Sequence, residues 1–475
     1  MLSPMETWLA NRYLRIQQYI RQKKVYIAVS HTLGSLLPFV IIGSFLQAFA
    51  RSALMANGFF YNIYHVGEWL PNARNIGQVV NSLSDITINF SLFIAAFLFA
   101  KYLARLYKLN DGIVGWTALL AAMILQTNIV NGLNRVNLVS GLNNNGGGVH
   151  NLFVGLIVGY VAAQSYRGLT WIAGHWQHAP VSWQDETFVT RGLQAIFPVS
   201  MILAGALGLS FLISLTGQQG FAGLVLYTIA LPRWVFSHAI VTIMIITFWN
   251  NILNVIGLSG PLSPFTQLTI DSSQSTTNLS TALKNGSLNN LPYPVTFHTI
   301  YDTYGAMGGN GMVLVLVFAL ILFSRQPDRR HVAWWSLFPT LMNFNDIAMV
   351  GFPIFFNPIY IVPYLLSPLV GMFVGWVPIH FHWIPPVVYS VPNTTPSFLA
   401  GFMGTNGNWA VLLVSVLALI ASLLVYLPFI RIDNLVWLKT LAGELPDQQT
   451  EEVKISGHEV IAQRTGPAVK KSESY

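Results

Sequence analysis

An acidic residue, Asp346, lies in the otherwise apolar stretch NFNDIAMVGFPIFFNPIY at residues 343–360. Near the centre of a bilayer a charged side chain costs about 2.5–3.5 kcal/mol on insertion scales, so it persists mainly where it faces a cavity or a partner group. Gly351, Pro353 and Pro358 also interrupt the regular backbone of this stretch. Irregular backbone at membrane depth is tolerated where it is buried in protein or lines a cavity. We therefore predict that Asp346 belongs to a binding site.

Three histidines are weaker candidates for chemistry. His380 and His382, in IHFHW, could place two metal ligands on one face of an extended strand, but the sequence offers no evident third ligand. Their position among aromatic residues at the end of an apolar segment favours anchoring at the membrane interface. His238 follows Arg233 in LPRWVFSH, where a structural role competes with a role in a site. We expect neither a metal ion nor another cofactor.

Four further polar residues lie near the ends of apolar segments. Asp85 and Asp302 are expected to be solvated segment ends or helix caps rather than ion-coupling groups. His298 and Tyr301 precede the glycine-rich stretch AMGGNG and could support a neighbouring site.

The composition of the chain indicates a polytopic membrane protein. Of its 475 residues, 53% are hydrophobic and 9% are charged, whereas about 25% of the residues of a soluble globular protein are charged. The absence of cysteine excludes disulfides, thiolate metal sites and a cysteine nucleophile within this chain. The formal net charge of +7 does not indicate nucleic-acid binding, because the basic residues cluster beside apolar segments. Residues 1–25 show no apolar core typical of a cleavable signal peptide.

About ten apolar segments could cross a bilayer as helices, which takes ~20 residues each. They are residues 26–49, 84–104, 112–130, 150–166, 193–216, 221–237, 239–258, 311–324, 359–379 and 408–430. Basic clusters at 12–24, 101–108 and 325–330 all fall on one side of the membrane if the N-terminus is cytoplasmic. The sequence thus predicts an all-α polytopic membrane protein with both termini in the cytoplasm.

Two longer intervals are neither clean spans nor ordinary soluble loops. Residues 259–310 are rich in Ser, Thr, Asn and Gly, and residues 332–358 are apolar but contain several Asn, Gly and Pro residues. Both are predicted to be re-entrant hairpins, with external loops as the alternative. The chain then divides into a cytoplasmic segment (1–25), a transmembrane domain (26–430) and a cytoplasmic tail (431–475). The tail is either a disordered terminus or a docking segment.

These motifs resemble the membrane-embedded IIC components of sugar phosphotransferase systems, in the lactose, cellobiose and diacetylchitobiose branch. NFNDIAMVGFPIFFNPIY is similar to the family pattern N-I-N-E-P-x-x-F-G-x-P-I-x-x-N-P. AMGGNG at 306–311 resembles the G-G-S-G that precedes a span in the family. VPNTTPSFLAGFMGTNGNW resembles the P-W-T-T-P-P segment with its following glycine-rich turn. The matches occur in the family's order, and the resemblance extends to about residue 430.

The resemblance implies ten transmembrane helices, two re-entrant hairpins and a homodimer. It also implies a sugar held near mid-membrane by a Glu and a His, and phosphorylated on the cytoplasmic side by a IIB protein. Asp346, at the Glu position, is the candidate for binding the reacting hydroxyl and for helping to remove its proton. The full set of implied sugar-binding residues is Asp346, Ser259, Asn345, Asn343, Asn393 and Thr394, with His238 and His298 as supporting candidates.

Three of these positions depart from the family pattern. Asp346 replaces Glu, Ser259 in NVIGLSG replaces the His of G-I-H-G, and Asn393 replaces Trp. Aspartate is one methylene shorter than glutamate, and a shift of about 1 Å can cost ~100-fold in rate. Serine has no pKa near 7, so Ser259 cannot replace an imidazole base without help. The departures bring the phosphorylation chemistry into question more than the binding of sugar.

Three functions therefore compete. The preferred one is a IIC-like permease component for a β-linked disaccharide of the cellobiose or chitobiose class, with no independent catalysis. It would work with cytoplasmic IIB and IIA-type proteins. The alternatives are a non-phosphorylating sugar sensor that signals to a cytoplasmic protein in trans, and a facilitator that releases unmodified sugar. In each case the expected location is the bacterial cytoplasmic (inner) membrane, and no nucleic acid is bound.

Overall fold

The computed structural model is predominantly helical in the part of the chain that it describes. These residues are 12–13, 19–20, 22–126, 152–177, 188–215, 240–258, 260, 262, 272–352, 354, 357–392 and 394–441, and no strand occurs among them. The main helices are α1 (Lys24–Phe49), α2 (Ala73–Ile88), α3 (Ser91–Leu106), α4 (Asp111–Gln126), α5 (Leu152–Gln177), α6 (Phe188–Leu215), α7 (Ile240–Ile256), α8 (Ser272–Asn285), α9 (Val313–Phe323), α10 (Pro327–Leu341), α11 (Asp346–Gly351), α12 (Pro358–His380), α13 (Ser397–Met403) and α14 (Trp409–Leu441). The all-α prediction is confirmed.

Nine of the ten predicted spans coincide with apolar helical segments of the described chain. Seven segments are long and apolar enough to cross a membrane: Lys24–Ile63, Ala73–Leu106, Leu152–Ile172, Gly192–Leu215, His298–Phe323, Ile359–His380 and Trp409–Lys439. Asp111–Gln126 and Ile240–Ile256 are shorter apolar helices. The remaining prediction, 221–237, lies outside the described residues. Large apolar side chains such as Ile42, Leu212 and Leu413 are exposed on the surface, as expected for helices that face lipid.

Several helical segments are longer than the predicted spans. The segment that contains the predicted span 84–104 begins at Ala73, because α2 precedes α3 with only a short turn between them. Polar residues on α2, among them Gln78, Asn81 and Asp85, concealed this helix from a search for apolar segments. The last helix, α14, continues to Leu441. This extension contains Asp433, which is buried. The proposed domain boundaries stay predictions.

The short helix α9 is largely buried by the rest of the described bundle. Its residues are apolar on every face, and Val313 through Val317 are buried, as expected for a helix surrounded by protein. It packs against α10 and α14. On α14, Tyr426 donates a hydrogen bond from its hydroxyl to the carbonyl oxygen of Gly311 at 2.8 Å. This contact fixes the glycine-rich turn that leads into α9.

The segment from α10 to α12 leaves one end of the bundle and returns to it. Arg329, near the start of α10, donates a hydrogen bond to the Tyr360 hydroxyl, near the start of α12, at 2.7 Å. Both residues also contact the carboxylate of Asp433 on α14. The 15 residues of α10 extend about 22 Å, which is less than the ~30 Å hydrocarbon core of a bilayer. The re-entrant placement of this segment stays a prediction.

Asn357 and Pro358 mark the start of α12. The Asn357 side chain accepts a hydrogen bond from the backbone N–H of Ile359 at 3.3 Å, and the proline occupies the beginning of the helix, where its missing N–H costs nothing. The Tyr13 hydroxyl donates to Oδ1 of Asn357 at 2.8 Å. Tyr13 therefore packs against the start of α12.

Candidate functional site

The turn after α10 is the point at which three sequence motifs meet. Asn343 adopts a left-handed backbone conformation there, with φ of 69°. Its Nδ2 donates to the carbonyl oxygen of Thr395 at 2.9 Å, and its Oδ1 accepts a hydrogen bond from the Ser397 hydroxyl. Ser397 Oγ in turn accepts from the backbone N–H of Gly308 at 3.0 Å. These bonds join AMGGNG, the NFND turn and the PNTTP segment.

Glycines allow the AMGGNG backbone to approach the turn closely. Gly309 has φ of 93°, and a Cβ placed on it would lie 2.9 Å from Nδ2 of Asn345. Gly311 has φ of 74°, and a Cβ there would collide with the ring of Tyr364. A glycine meets both demands, since it accepts positive φ and has no side chain. The glycine backbone therefore forms a wall directly beside Asn345.

Asn345 and Asp346 begin α11 and are buried, with exposed fractions of 4% and 6%. Asp346 lies in the first turn of the helix, where the helix dipole favours a negative charge. Nδ2 of Asn345 and Oγ1 of Thr395 are buried without a hydrogen-bond partner among the described residues. Because buried polar atoms are normally paired, these two groups are suited to bind a polar ligand.

An open cleft of about 620 Å³ adjoins the turn, within the ~300–1,000 Å³ range of small-molecule sites. The turn contributes Asn343 and Phe344, and the PNTTP segment contributes Thr394. Thr394 Oγ1 also accepts a hydrogen bond from the backbone N–H of Phe59 at 2.9 Å, which links this segment to the loop after α1. The rest of the wall consists of Arg51, Met55, Ala56, Asn57, Arg74, Gln78 and Met342. The cleft thus combines predicted site residues with polar residues that the sequence analysis did not select.

Arg51 is the most tightly held of these additional residues. Its Nε donates to Oδ1 of Asn81 at 3.1 Å, and its guanidinium carbon lies 5.7 Å from the centroid of the Phe344 ring. Asp85 interacts electrostatically with Arg51, and its carboxylate accepts hydrogen bonds from Asn81 and Asn89 at 2.9 and 3.0 Å. One signal in the sequence could have drawn attention to Arg51. It directly follows the first predicted span, on the side opposite to the basic clusters in the predicted topology.

The expectation that Asp85 and Asp302 are helix caps or solvated segment ends is wrong. Asp85 lies within α2, and Asp302 lies within the π-helical segment His298–Gly305. Both are half-buried. Each has a side-chain partner four residues away on its own helix, Asn89 for Asp85 and His298 for Asp302. One helical turn brings such residues onto the same face, which explains how these carboxylates are accommodated inside the bundle.

His298 is fixed by contacts at both ring nitrogens. Nδ1 lies 3.4 Å from Oδ2 of Asp302, and Nε2 lies 3.4 Å from the carbonyl oxygen of Tyr389. Tyr301, one helical turn further on, donates from its hydroxyl to Oδ1 of Asn310 at 2.8 Å. Tyr301 therefore contacts the glycine motif directly. The supporting role of His298 in sugar binding stays a prediction.

Three of the selected residues, Ser259, Asn393 and His238, lie outside the described residues. Their roles in a site stay predictions.

The helix that precedes Ser259, α7, has a buried polar face. Asn250 Oδ1 accepts a hydrogen bond from the backbone N–H of Leu262 at 3.0 Å. The side-chain amides of Asn251 and Asn254 are buried without hydrogen-bond partners among the described residues. These three residues lie on one side of the helix, since residues three and four apart are neighbours on a helix surface. Sequence analysis missed this face, although NNILN stands out in an apolar span.

Taken together, the described residues offer a carboxylate, several amides and several hydroxyls around one turn. This set can exchange hydrogen bonds with a neutral, polyhydroxylated ligand. The Asp346 carboxylate, when ionised, can accept a hydrogen bond from a ligand hydroxyl, and such charge-assisted bonds are stronger than neutral ones.

Comparison with known proteins points to one family. The family described as "Phosphotransferase system, EIIC" matches residues 30–368. The chain is 24% identical over 264 residues to a cellobiose-specific EIIC component of Lactococcus lactis, covering 52% of this chain and 53% of that protein. The chain thus spans about half the length of that relative. An oligo-beta-mannoside-specific EIIC component of Bacillus subtilis is 24% identical over 73% of this chain and 78% of its own length.

A solved structure also aligns with the chain. It is ChbC, the IIC component from an N,N'-diacetylchitobiose-specific phosphotransferase system, at 19% identity and a TM-score of 0.41. The alignment covers 92% of this chain and 99% of that one.

Proposed function

Because the chain belongs to the phosphotransferase system EIIC family, we propose that it carries a β-linked disaccharide across the bacterial cytoplasmic membrane. The sugar binds near the turn at Asn343 and is phosphorylated by a partner IIB protein, itself supplied with phosphate by a IIA protein. The relatives named for cellobiose and for oligo-beta-mannosides support a β-linked substrate.

The observation that carries this proposal is the junction of three distant motifs. Asn343, Ser397 and Gly308 form one hydrogen-bonded chain, although they are separated by up to 89 residues in sequence. The same junction contains the buried Asn345 and Asp346 and adjoins the open cleft. A carboxylate buried beside a cleft within a membrane domain is expected to bind a ligand.

In the proposed mechanism Asp346 accepts a hydrogen bond from the hydroxyl that becomes phosphorylated. Asn343, Asn345, Thr394, Ser259 and Asn393 bind the remaining hydroxyls, with His238 and His298 in support. The segments 259–310 and 332–358 act as re-entrant hairpins that bring these residues to mid-membrane. The protein functions as a homodimer with both termini in the cytoplasm.

Uptake of radiolabelled cellobiose and diacetylchitobiose tests the proposal. Cells that express the chain are compared with and without a functional phosphorelay, and the intracellular product is analysed by chromatography. We expect uptake that depends on the phosphorelay and accumulation of sugar phosphate. Accumulation of unmodified sugar, independent of the phosphorelay, would contradict the proposal and indicate a facilitator. Binding of sugar without any uptake would indicate a sensor.

A further inference from the structure

Among the described residues, the cleft beside the Asn343 turn carries positive charge and no negative charge in its wall. Its described wall contains two arginines, Arg51 and Arg74, and neither aspartate nor glutamate. Clefts lined by charges of one sign concentrate the electrostatic field and attract ligands of the opposite sign. A neutral disaccharide is not attracted over distance by this field, although the arginines can donate hydrogen bonds to its hydroxyls.

The charges of the two arginines are balanced differently. Arg51 interacts with the carboxylate of Asp85 and donates a hydrogen bond to Asn81. Arg74 lies near the start of α2, is exposed, and forms no ion pair with any residue that the structure describes. The cleft therefore retains about one uncompensated positive charge.

The position of both arginines is unusual for a membrane protein. Basic residues are enriched in cytoplasmic loops, and the clusters at 12–24, 101–108 and 325–330 follow that rule in the predicted topology. Arg51 and Arg74 lie between the first two spans, on the external side in the same topology. Arginines on the external side do not contribute to the orientation that the cytoplasmic basic clusters set. Their presence in the wall of a cleft therefore calls for another explanation, such as binding of a ligand.

We propose that the disaccharide taken by this permease has a carboxylate on one of its two rings, so that the substrate is an aldobiouronic acid. This inference rests on the proposed function and narrows its substrate class. The acidic ring lies at Arg74, whose planar guanidinium matches a carboxylate with two parallel hydrogen bonds. The neutral ring points toward the turn, where Asp346 accepts a hydrogen bond from the hydroxyl that is phosphorylated. Asp346 does not belong to the described wall of the cleft, so the two carboxylates stay apart.

The remaining wall fits a sugar better than a lipid headgroup, which would offer the same anionic chemistry. Asn57, Gln78, Asn343 and Thr394 supply amides and a hydroxyl, which suit ring hydroxyls. A phosphate group alone would be bound by the arginines and would not require these amides.

Calorimetric titration of the purified, full-length protein in detergent tests this inference. The two ligands are cellobiose and cellobiouronic acid, in which glucuronic acid is β-linked to glucose. We expect the acid to bind about two- to fivefold more tightly, because Arg74 is exposed and an exposed ion pair contributes about 0–1 kcal/mol. The difference should shrink at high salt, which screens an exposed charge.

Matched variants locate the effect. Arg74→Gln should remove the preference for the acid, so that the two disaccharides bind with similar affinity. An unchanged thermal unfolding temperature in detergent shows that the variant is folded. Arg330→Gln removes an exposed charge in a basic cluster far along the chain, and it should keep the preference. A preference that survives in Arg74→Gln would overturn the assignment to this cleft.

Several other outcomes would count against the inference in distinguishable ways. If cellobiose binds at least as tightly as the acid, the acidic substrate is wrong and the proposed permease function stands. If neither disaccharide binds but diacetylchitobiose does, the acidic substrate is wrong and the permease function stands. If none of the three sugars binds, both proposals fail. Phosphatidylglycerol added to the detergent identifies the lipid alternative. If the lipid binds in a manner that depends on Arg74, and the protein shows no preference for the acid when the lipid is absent, the cleft binds a lipid headgroup instead.

Discussion

Asp346 is placed at the start of α11, next to the capping residue Asn345, and is 6% exposed. If its carboxylate accepts a hydrogen bond from the sugar, Asp346→Asn should weaken binding while the protein stays folded. Hydrogen bonds to charged groups contribute about 1.5–3 kcal/mol, which corresponds to roughly 10- to 150-fold in affinity. Calorimetry with the disaccharide found in the uptake assay measures the change.

The control at this residue is Asp328→Asn. Asp328 is exposed in the first turn of α10, so its substitution removes the same charge at a helix start and should leave affinity unchanged. Equal affinity of Asp346→Asn and the wild type would remove Asp346 from the site. Equal stability of both proteins, from thermal unfolding in detergent, excludes misfolding as the cause of any loss.

At the scale of elements, the glycine turn before α9 is expected to tolerate no side chain. Gly311→Ala introduces a Cβ that collides with the Tyr364 ring, at a residue with φ of 74°. The left-handed backbone costs about 1–2 kcal/mol for alanine, and overpacking typically adds about 1–3 kcal/mol. Thermal unfolding should show a large loss of stability, or no folded protein.

Gly286→Ala separates these two effects. Gly286 has a similar φ of 62°, but a Cβ there meets nothing within 4 Å. The Gly286→Ala variant should lose only the stability that the left-handed backbone costs, without any cost from overpacking. If both variants were destabilised equally, the close contact between the glycine turn and Tyr364 would not matter to the fold.

The buried ion pair between Arg329 and Asp433 should hold α10 and α14 together. Asp433 is 2% exposed and also accepts a hydrogen bond from Tyr360. Asp433→Asn leaves the arginine without its counterion, which costs about 3–5 kcal/mol when a buried pair is broken. The triple variant Arg329→Met, Tyr360→Phe and Asp433→Leu should recover much of that loss, because a well-packed apolar cluster can replace a buried ion pair and leaves no hydroxyl unpaired.

An exposed pair on the same protein provides the comparison. Arg105 and Asp111 are 44% and 33% exposed, and surface ion pairs contribute about 0–1 kcal/mol. Asp111→Asn should therefore change the melting temperature little. A similar small change in Asp433→Asn would mean that the buried pair does not stabilise the bundle.

For the whole molecule, the distribution of basic residues predicts the orientation in the membrane. Reporter fusions after residue 108 and after residue 330 should report the cytoplasm, and a fusion near residue 145 should report the external side. This pattern would also place Arg51 and Arg74 outside. A cytoplasmic signal at residue 145 would contradict the predicted topology and the external position of the cleft.

The sequence by itself determined the class of the protein and most of its helices. Apolar segments such as 359–379 and 408–430 must be helical in a bilayer, because no other single segment satisfies its own backbone hydrogen bonds there. The single carboxylate Asp346 also marked the turn that the structure places at the junction of three motifs. Such local features depend on residues close together in sequence, so they can be recognised before the fold is known.

The tertiary structure alone decided which distant residues share a site. Arg51 and Arg74 contribute to the same cleft as Asn343 and Thr394, and Arg329 meets Asp433 across 104 residues of chain. Asp85 and Asp302 likewise find partners inside helices, where capping or solvation was expected. The physical reason is that hydropathy measures only how a segment partitions between water and lipid. Which polar groups face one another depends on how the helices pack, and that follows from side chains spread over the whole chain.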